Sequence, residues 1–243
     1  MSRNVLLFDL DGTLTDPRLG ITRCIRYALD QLRVVCPPDD MLASCIGPPL
    51  RRSFASLLGT AEASYIEEAM RLYRQRYSTE GLFENEVYEG VPEALRAVRQ
   101  TAAALFVVTS KPTVYATKIV EHFGLTSFFR DVYGSELDGR FDDKADLLRH
   151  LLAMEQVVPH SAVMIGDRAV DVLAAKSNGV GCIGVGWGYG SKDELVTAGA
   201  DSLCEHPSGL LAALSKLATQ LSHAPELAQP SSSDPGRVVA PAR

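Results

Sequence analysis

Val5-Leu-Leu-Phe-Asp-Leu-Asp-Gly-Thr-Leu-Thr-Asp16 decides how the rest of this 243-residue chain is read. Four consecutive apolar, β-prone residues are stopped by Asp9, and Asp11-Gly12 supplies a turn. The stretch predicts a buried strand whose carboxyl end carries two acids. Two carboxylates two residues apart repel each other unless a cation or a proton lies between them. With Gly12 allowing a tight turn, they can present one nucleophile, one acid/base group and a backbone carbonyl. A plain Asp-Gly turn closing the strand would use the same residues.

The pattern recurs downstream. Ala104-Leu-Phe-Val-Val predicts a strand ending at Thr109-Ser110, and Val132-Tyr133 one ending at Gly134-Ser135. Ala162-Val-Met-Ile predicts a strand ending at Gly166-Asp167, and Cys182-Ile-Gly-Val predicts another. Helical periodicity fills the gaps, after Pro92 and over Thr113 to Phe123, Lys144 to Met154 and Ala169 to Asn178. Strands alternating with single helices imply an α/β fold, a Rossmann-like, mostly parallel sheet with helices on both faces. Ligands of such sheets lie beyond the carboxyl ends of the strands. From Asp16 to Phe83 the pattern is helical throughout, with Ile21, Ile25 and Leu29 at helical spacing, then Leu50, Phe54 and Leu58, then Tyr65, Leu72 and Tyr73. After a terminal helix over Leu210 to Leu221, the Ser-, Pro- and Ala-rich residues 222–243 have no apolar period and read as a disordered tail.

Composition bounds the function. Apolar residues make up 46% and charged residues 22%, which excludes a disordered, fibrous or membrane-spanning chain. A net charge of −6 argues against a nucleic-acid polymer as partner. The five cysteines have no CxxC spacing and read as free thiols of a reducing compartment. The N-terminus lacks the long apolar stretch of a signal peptide, and the longest apolar run, Ala102 to Val108, is too short to span a bilayer. A cytoplasmic protein, monomer or homodimer, is expected.

Two more strand ends and one helix start could do chemistry. At Thr109-Ser110-Lys111 a hydroxyl and backbone N–H groups suit phosphate oxygens, though a helix cap needs no more. Asp171 follows Asp167 by four residues, one helical turn along the same face, where it could hold a metal-bound water or simply cap the helix. Lys144 opens a helix behind the polar run Asp138 to Asp143, either solvated or neutralising a phosphoryl group. His122, His150 and His206 have no partners at metal-site or catalytic spacing. Each feature is weak singly, and the conjunction is not.

Phe8 to Asp16 resembles the opening signature of the haloacid dehalogenase superfamily of phosphohydrolases. Val107-Val-Thr-Ser-Lys-Pro112 resembles its second motif, Lys144 its third, and Gly166-Asp-Arg-Ala-Val-Asp171 its fourth, in order. The helical segment resembles the cap of the phosphoglycolate-phosphatase-like branch, as do Gly134 to Gly139 and Gly184 to Gly190. The resemblance implies a core of residues 1–15 and 84–221 and an inserted all-helical cap of residues 16–83. It implies Asp9 as nucleophile, forming an aspartyl phosphate, and Asp11 as the acid/base. It also implies Mg²⁺ held by Asp9, Asp167 and the Asp11 carbonyl, with Thr109, Ser110 and Lys144 on the phosphate and Asp171 behind them. The substrate implied is a small phosphorylated metabolite, phosphoglycolate or a nucleoside 5′-monophosphate.

A phosphosugar mutase of the β-phosphoglucomutase type keeps the same four motifs, and the glycine-rich segments favour hydrolysis over it. A regulatory protein on the same fold would have lost one of Asp9, Asp11, Lys144 or Asp167, and none is lost. Between Thr15 and Phe83 all nine basic residues are arginines. Arg51 or Arg52, in a turn resembling the loop that reaches over the substrate, could meet an anionic group of that substrate. Trp187 and Tyr189 read as parts of a structural loop in preference to stacking partners for a base.

Overall fold

The computed structural model describes residues 5–223. Strand β1 (Val5–Phe8) runs through a turn into the short β2 (Thr15–Asp16). Helices α1 (Arg18–Gln31), α2 (Asp39–Ala43), α3 (Leu50–Leu58) and α4 (Ala63–Arg76) follow, and α4 continues into a π-helical turn, Tyr77–Gly81. Strand β3 (Glu86–Val87) then returns antiparallel to β2, so the four helices leave and re-enter through one two-stranded ribbon. The rest alternates as α5 (Val91–Arg99), β4 (Ala104–Pro112), α6 (Thr113–His122), β5 (Asp131–Ser135), α7 (Lys144–Met154) and β6 (Ala162–Gly166). It closes with α8 (Ala169–Ser177), β7 (Gly181–Val185), α9 (Lys192–Ala198), β8 (Ser202–Cys204) and α10 (Leu210–His223).

Six strands form one sheet in the order β5-β4-β1-β6-β7-β8, and every adjacent pair is parallel. The chain steps outward from β1 to β4 and β5, then crosses back to β6 on the other side. The topological switch therefore falls at β1, and its carboxyl end opens the crevice in which such sheets bind ligands. Alternation along the strands feeds two apolar layers. Leu6, Phe8, Val107 and Ile165 face α5, α6 and α10, whereas Leu7, Phe106, Val108 and Met164 face α7, α8 and α9. The first layer continues without a break into Ile25, Leu29, Phe54 and Tyr73 of the helical insertion.

Four features differ from the sequence reading. β4 does not stop at Thr109-Ser110; after an irregularity at Thr109 it resumes pairing at Pro112 with Ser135. α9 escapes notice because Leu195 is its one buried residue, which leaves no apolar period to detect. α2, β2, β3 and β8 span five residues or fewer, below what periodicity resolves. α10 extends to His223, two residues into the segment assigned to the tail, and the rest of that tail lies outside the described residues.

The ribbon at the base of the insertion is stapled by Glu84. Its carboxylate lies 2.6 Å from Arg23 of α1 and 2.7 Å from Arg76 of α4. Hydrogen bonding from Arg76, opposed by partial burial and reinforced by Arg23, pulls the Glu84 carboxyl down to about 2. A carboxyl with a depressed folded-state value contributes stability above its unfolded value, near 4.3, and loses it as the pH falls through about 2. Glu84→Gln is therefore expected to lower the unfolding free energy by about 1–2 kcal/mol at pH 7. In denaturant titrations the difference from wild type should shrink steadily below about pH 4; a difference that is absent at pH 7, or that persists unchanged in acid, contradicts it.

Candidate active site

The turn after β1 builds the floor of the site. The Asp9 N–H donates to the Ile165 carbonyl at 2.9 Å, which continues the ladder one residue past the strand. Gly12 then adopts φ +88°, a left-handed conformation that costs glycine least. Space demands glycine there as well, since a Cβ would fall 2.3 Å from Asp167 Oδ2. The Gly184 to Gly190 loop closes from the far side, with Gly188 so near the Gly12 carbonyl that a Cβ would lie 2.3 Å from it. Trp187 Nε1 donates to the Thr13 carbonyl at 3.0 Å, and the Tyr189 hydroxyl donates to Asp16. Both aromatic residues of that loop are thus engaged in clamping the first turn.

This packing gathers three buried carboxylates, Asp9, Asp167 and Asp171, with one oxygen of each within 4.8 Å of the others. Asp167 accepts from the Tyr189 N–H at 2.7 Å and from the Thr13 hydroxyl at 3.4 Å. Asp171 has both oxygens engaged, one by Lys144 Nζ and the other by the Arg168 N–H at 2.9 Å. Lys144 Nζ also lies 2.8 Å from Asp9 Oδ1. The lysine is the first residue of α7, behind the N-cap Asp143, which accepts from the Ala145 N–H at 2.7 Å. Burial alone would make its ammonium easier to deprotonate, but Asp171 and Asp9 more than offset that and hold the proton on. Asp167 is pushed the other way: burial first, then the charges of Asp171 and Asp9, raise its carboxyl well above the usual range.

Hard carboxylate oxygens in a buried site short of positive charge suit Mg²⁺ far better than zinc. The donor set therefore fits the divalent cation that the resemblance implies. Asp171 is the exception in the trio, because its oxygens already serve Lys144 and the backbone of Arg168.

Asp9 and Asp11 form the deep end of a pocket that Thr109, Ser110 and Lys111 line beside them, beneath the helical insertion. Thr109 is buried, and its hydroxyl oxygen accepts from the Lys111 N–H at 3.3 Å. The Ser110 carbonyl accepts from the Ser135 hydroxyl at 2.9 Å. Of the arginine pair, Arg51 lines the pocket and ion-pairs with Glu67 and, at 3.7 Å, with Asp142. Arg52 is exposed and outside the lining, so the structure does not bring it to the site. Most other insertion arginines are engaged in ion pairs, Arg23 and Arg76 with Glu84, Arg26 with Asp39 and Arg71 with Glu68.

Sequence reasoning missed Lys111, Tyr73, Tyr77, Arg74 and Arg168. Arg74 lines the pocket and donates to the Leu137 carbonyl at 3.1 Å. Arg168 binds Glu194 at 2.9 Å and donates to the Ile46 carbonyl, joining the fourth strand-end motif to the insertion loop. Lys111 was legible in principle: had the strand been carried two residues further, strand alternation would have put it on the face of Thr109. Helical spacing marked Tyr73 as a helix residue, and nothing marked the site roles of the insertion residues, because their positions depend on how the helices pack.

Asp167→Asn tests the charge argument. Asparagine can still accept from the Tyr189 N–H and donate to the Thr13 hydroxyl. A carboxyl raised in the folded state destabilises the fold increasingly as the pH rises above its unfolded value near 3.9. At about pH 8, in EDTA, the variant is expected to melt roughly 2–4 °C above wild type. Mg²⁺ should raise the melting temperature of wild type and leave the variant where it was. A variant less stable than wild type in EDTA, or equally responsive to Mg²⁺, would count against this electrostatic account.

Residues 6–185 match the model of the haloacid dehalogenase-like hydrolases. Over 190 residues the chain is 49% identical to a 5′-nucleotidase of Pseudomonas aeruginosa, covering 78% of this chain and 86% of that one. It is 37% identical over 192 residues to the tyrosine-protein kinase PtkA of Mycobacterium tuberculosis, covering 79% of this chain and 65% of that one. A phosphoglycolate phosphatase of Psychrobacter arcticus is 29% identical, over 78% of this chain and 86% of its own. Among solved structures, a predicted phosphatase from Clostridium acetobutylicum superposes with a TM-score of 0.85 at 36% identity, over 89% of this chain and all of that one. With a family match over most of its length and this agreement in fold, the chain belongs to the haloacid dehalogenase-like hydrolases.

Proposed function

We propose that this hydrolase is a Mg²⁺-dependent phosphatase acting on small phosphomonoesters, with nucleoside 5′-monophosphates preferred to phosphoglycolate. The observation that carries the reading is Asp9: a buried carboxylate at the switch point of the sheet, 2.8 Å from the Lys144 ammonium and open to the pocket. In a first step an Asp9 oxygen bonds to phosphorus as the ester P–O bond breaks, and Asp11 gives its proton to the departing alkoxide. Water then attacks the phosphorus of the aspartyl phosphate, its proton passes to Asp11, and the bond to Asp9 breaks to release inorganic phosphate. Thr109, Ser110 and Lys144 hold the phosphoryl oxygens through transfer. Asp171 keeps Lys144 beside Asp9. Asp9, Asp167 and the Asp11 carbonyl would hold Mg²⁺, which when bound screens the negative phosphoryl oxygens.

The preference for nucleotides rests on the pocket wall and on the 49% identity to a 5′-nucleotidase. Beside its charged residues, the lining includes an apolar and aromatic set, Leu50, Met70, Tyr73 and Tyr115. Such a wall suits the face of a base.

Phosphate release from nucleoside 5′-monophosphates, phosphoglycolate and hexose phosphates, with Mg²⁺ and with EDTA, tests the proposal. Nucleotides should be turned over with kcat/KM at least about tenfold above phosphoglycolate, and Asp9→Asn should reduce turnover by at least about a thousandfold. Release that survives EDTA or Asp9→Asn contradicts the mechanism, and a preference for phosphoglycolate contradicts the substrate assignment.

A further inference from the structure

Only one oxygen of the Asp11 carboxyl is held. Lys111 Nζ lies 2.6 Å from Asp11 Oδ2, whereas Asp11 Oδ1 is buried without a hydrogen-bond partner among the described residues. The same ammonium donates to the Tyr77 hydroxyl at 2.6 Å. Lys111, Asp11 and Tyr77 are all buried, so the ammonium depends on these protein acceptors.

The Tyr77 ring is itself fixed. It stacks on Tyr73 with centroids 5.1 Å apart and meets the edge of Tyr115 at 5.5 Å. Lys111 is therefore gripped from two sides, by the sheet through β4 and by the helical insertion through Tyr77.

We infer that Lys111 is a positioning residue for the acid/base step: by binding Oδ2 it leaves Oδ1 as the one oxygen of Asp11 that can exchange a proton with the ester, and Tyr77 keeps Lys111 there. The inference rests on the reading of Asp11 as the group that protonates the leaving oxygen. A carboxyl free to turn about its side-chain bonds would offer that proton in many orientations, and orientation is a large part of what a catalytic site supplies. Were Lys111 instead a ligand for the substrate's own anion, its loss would weaken binding of every ester alike.

Leaving-group dependence separates these roles. Lys111→Met and Tyr77→Phe are assayed with Mg²⁺ on a nucleoside 5′-monophosphate, whose alkoxide needs a proton to leave, and on p-nitrophenyl phosphate, whose phenolate leaves without one. Lys111→Met is expected to lower kcat on the nucleotide about a hundredfold, with at most about a tenth of that loss on p-nitrophenyl phosphate and little change in KM. Tyr77→Phe should show the same split at about three- to tenfold, and it decides the matter if Lys111→Met fails to fold. In an Asp11→Asn background, Lys111→Met should add less than about a twofold loss.

Equal losses on both esters, an effect confined to KM, or multiplying losses in the double variant overturn the inference. If Asp11→Asn is selective between the esters while the Lys111 and Tyr77 variants are not, only this inference falls. If Asp11→Asn is unselective, the acid/base reading falls with it, and a wild type that hydrolyses neither ester removes the phosphatase reading as well.

Discussion

Three carboxylates, Asp9, Asp167 and Asp171, share one buried corner, and the Lys144 ammonium touches two of them. Like charges about 4 Å apart repel by about 4 kcal/mol even at an effective dielectric near 20, so a fold does not collect them without compensation. Two kinds of compensation are visible. Hydrogen bonds from the Tyr189 and Arg168 N–H groups and from the Thr13 hydroxyl use the protein's own dipoles. Lys144 supplies one full charge, and the negative charge left over is what a divalent cation would neutralise.

That arrangement constrains the backbone around it. Gly12 and Gly188 leave room for Asp167, and Trp187 and Tyr189 tie the glycine-rich loop to the first turn. The site is thus fixed by three strand ends and one loop, all on the parallel sheet. The helical insertion contributes the opposite wall. Arg51 reaches Asp142, Arg74 the Leu137 carbonyl, and Tyr77 the Lys111 ammonium, while the Ile46 carbonyl receives Arg168. These polar contacts, some at the surface and the Tyr77–Lys111 pair buried, relate the wall to the floor at several points.

Legibility in the sequence followed the range of the interactions. Strand ends and the helices after them are local: Lys144–Met154 is bounded as the apolar period predicts, and Asp9, Asp167 and Thr109 stand where a strand turns polar. Spacing did not pair Lys144 with Asp171; only the family resemblance set Asp171 behind the phosphate-binding residues, and the structure joins the two. What escaped depends on contacts distant in sequence. Lys111 owes its place to an irregular extension of β4 against Ser135, and Tyr77 to a π-helical turn that packs against α1 and α4 and meets Tyr115 of α6. Choosing Arg51 over Arg52 needed the rotation of α3 about its axis, which one helix's sequence does not determine against its neighbours.

In the proposed mechanism phosphorus is transferred to Asp9 before it reaches water. The most direct test is stereochemical: a phosphomonoester made chiral at phosphorus with sulfur and oxygen isotopes, hydrolysed in isotopically labelled water. Two successive displacements, one by Asp9 and one by water, predict net retention of configuration in the inorganic thiophosphate. Net inversion would mean a single direct attack by water, and the role given to Asp9 would be wrong.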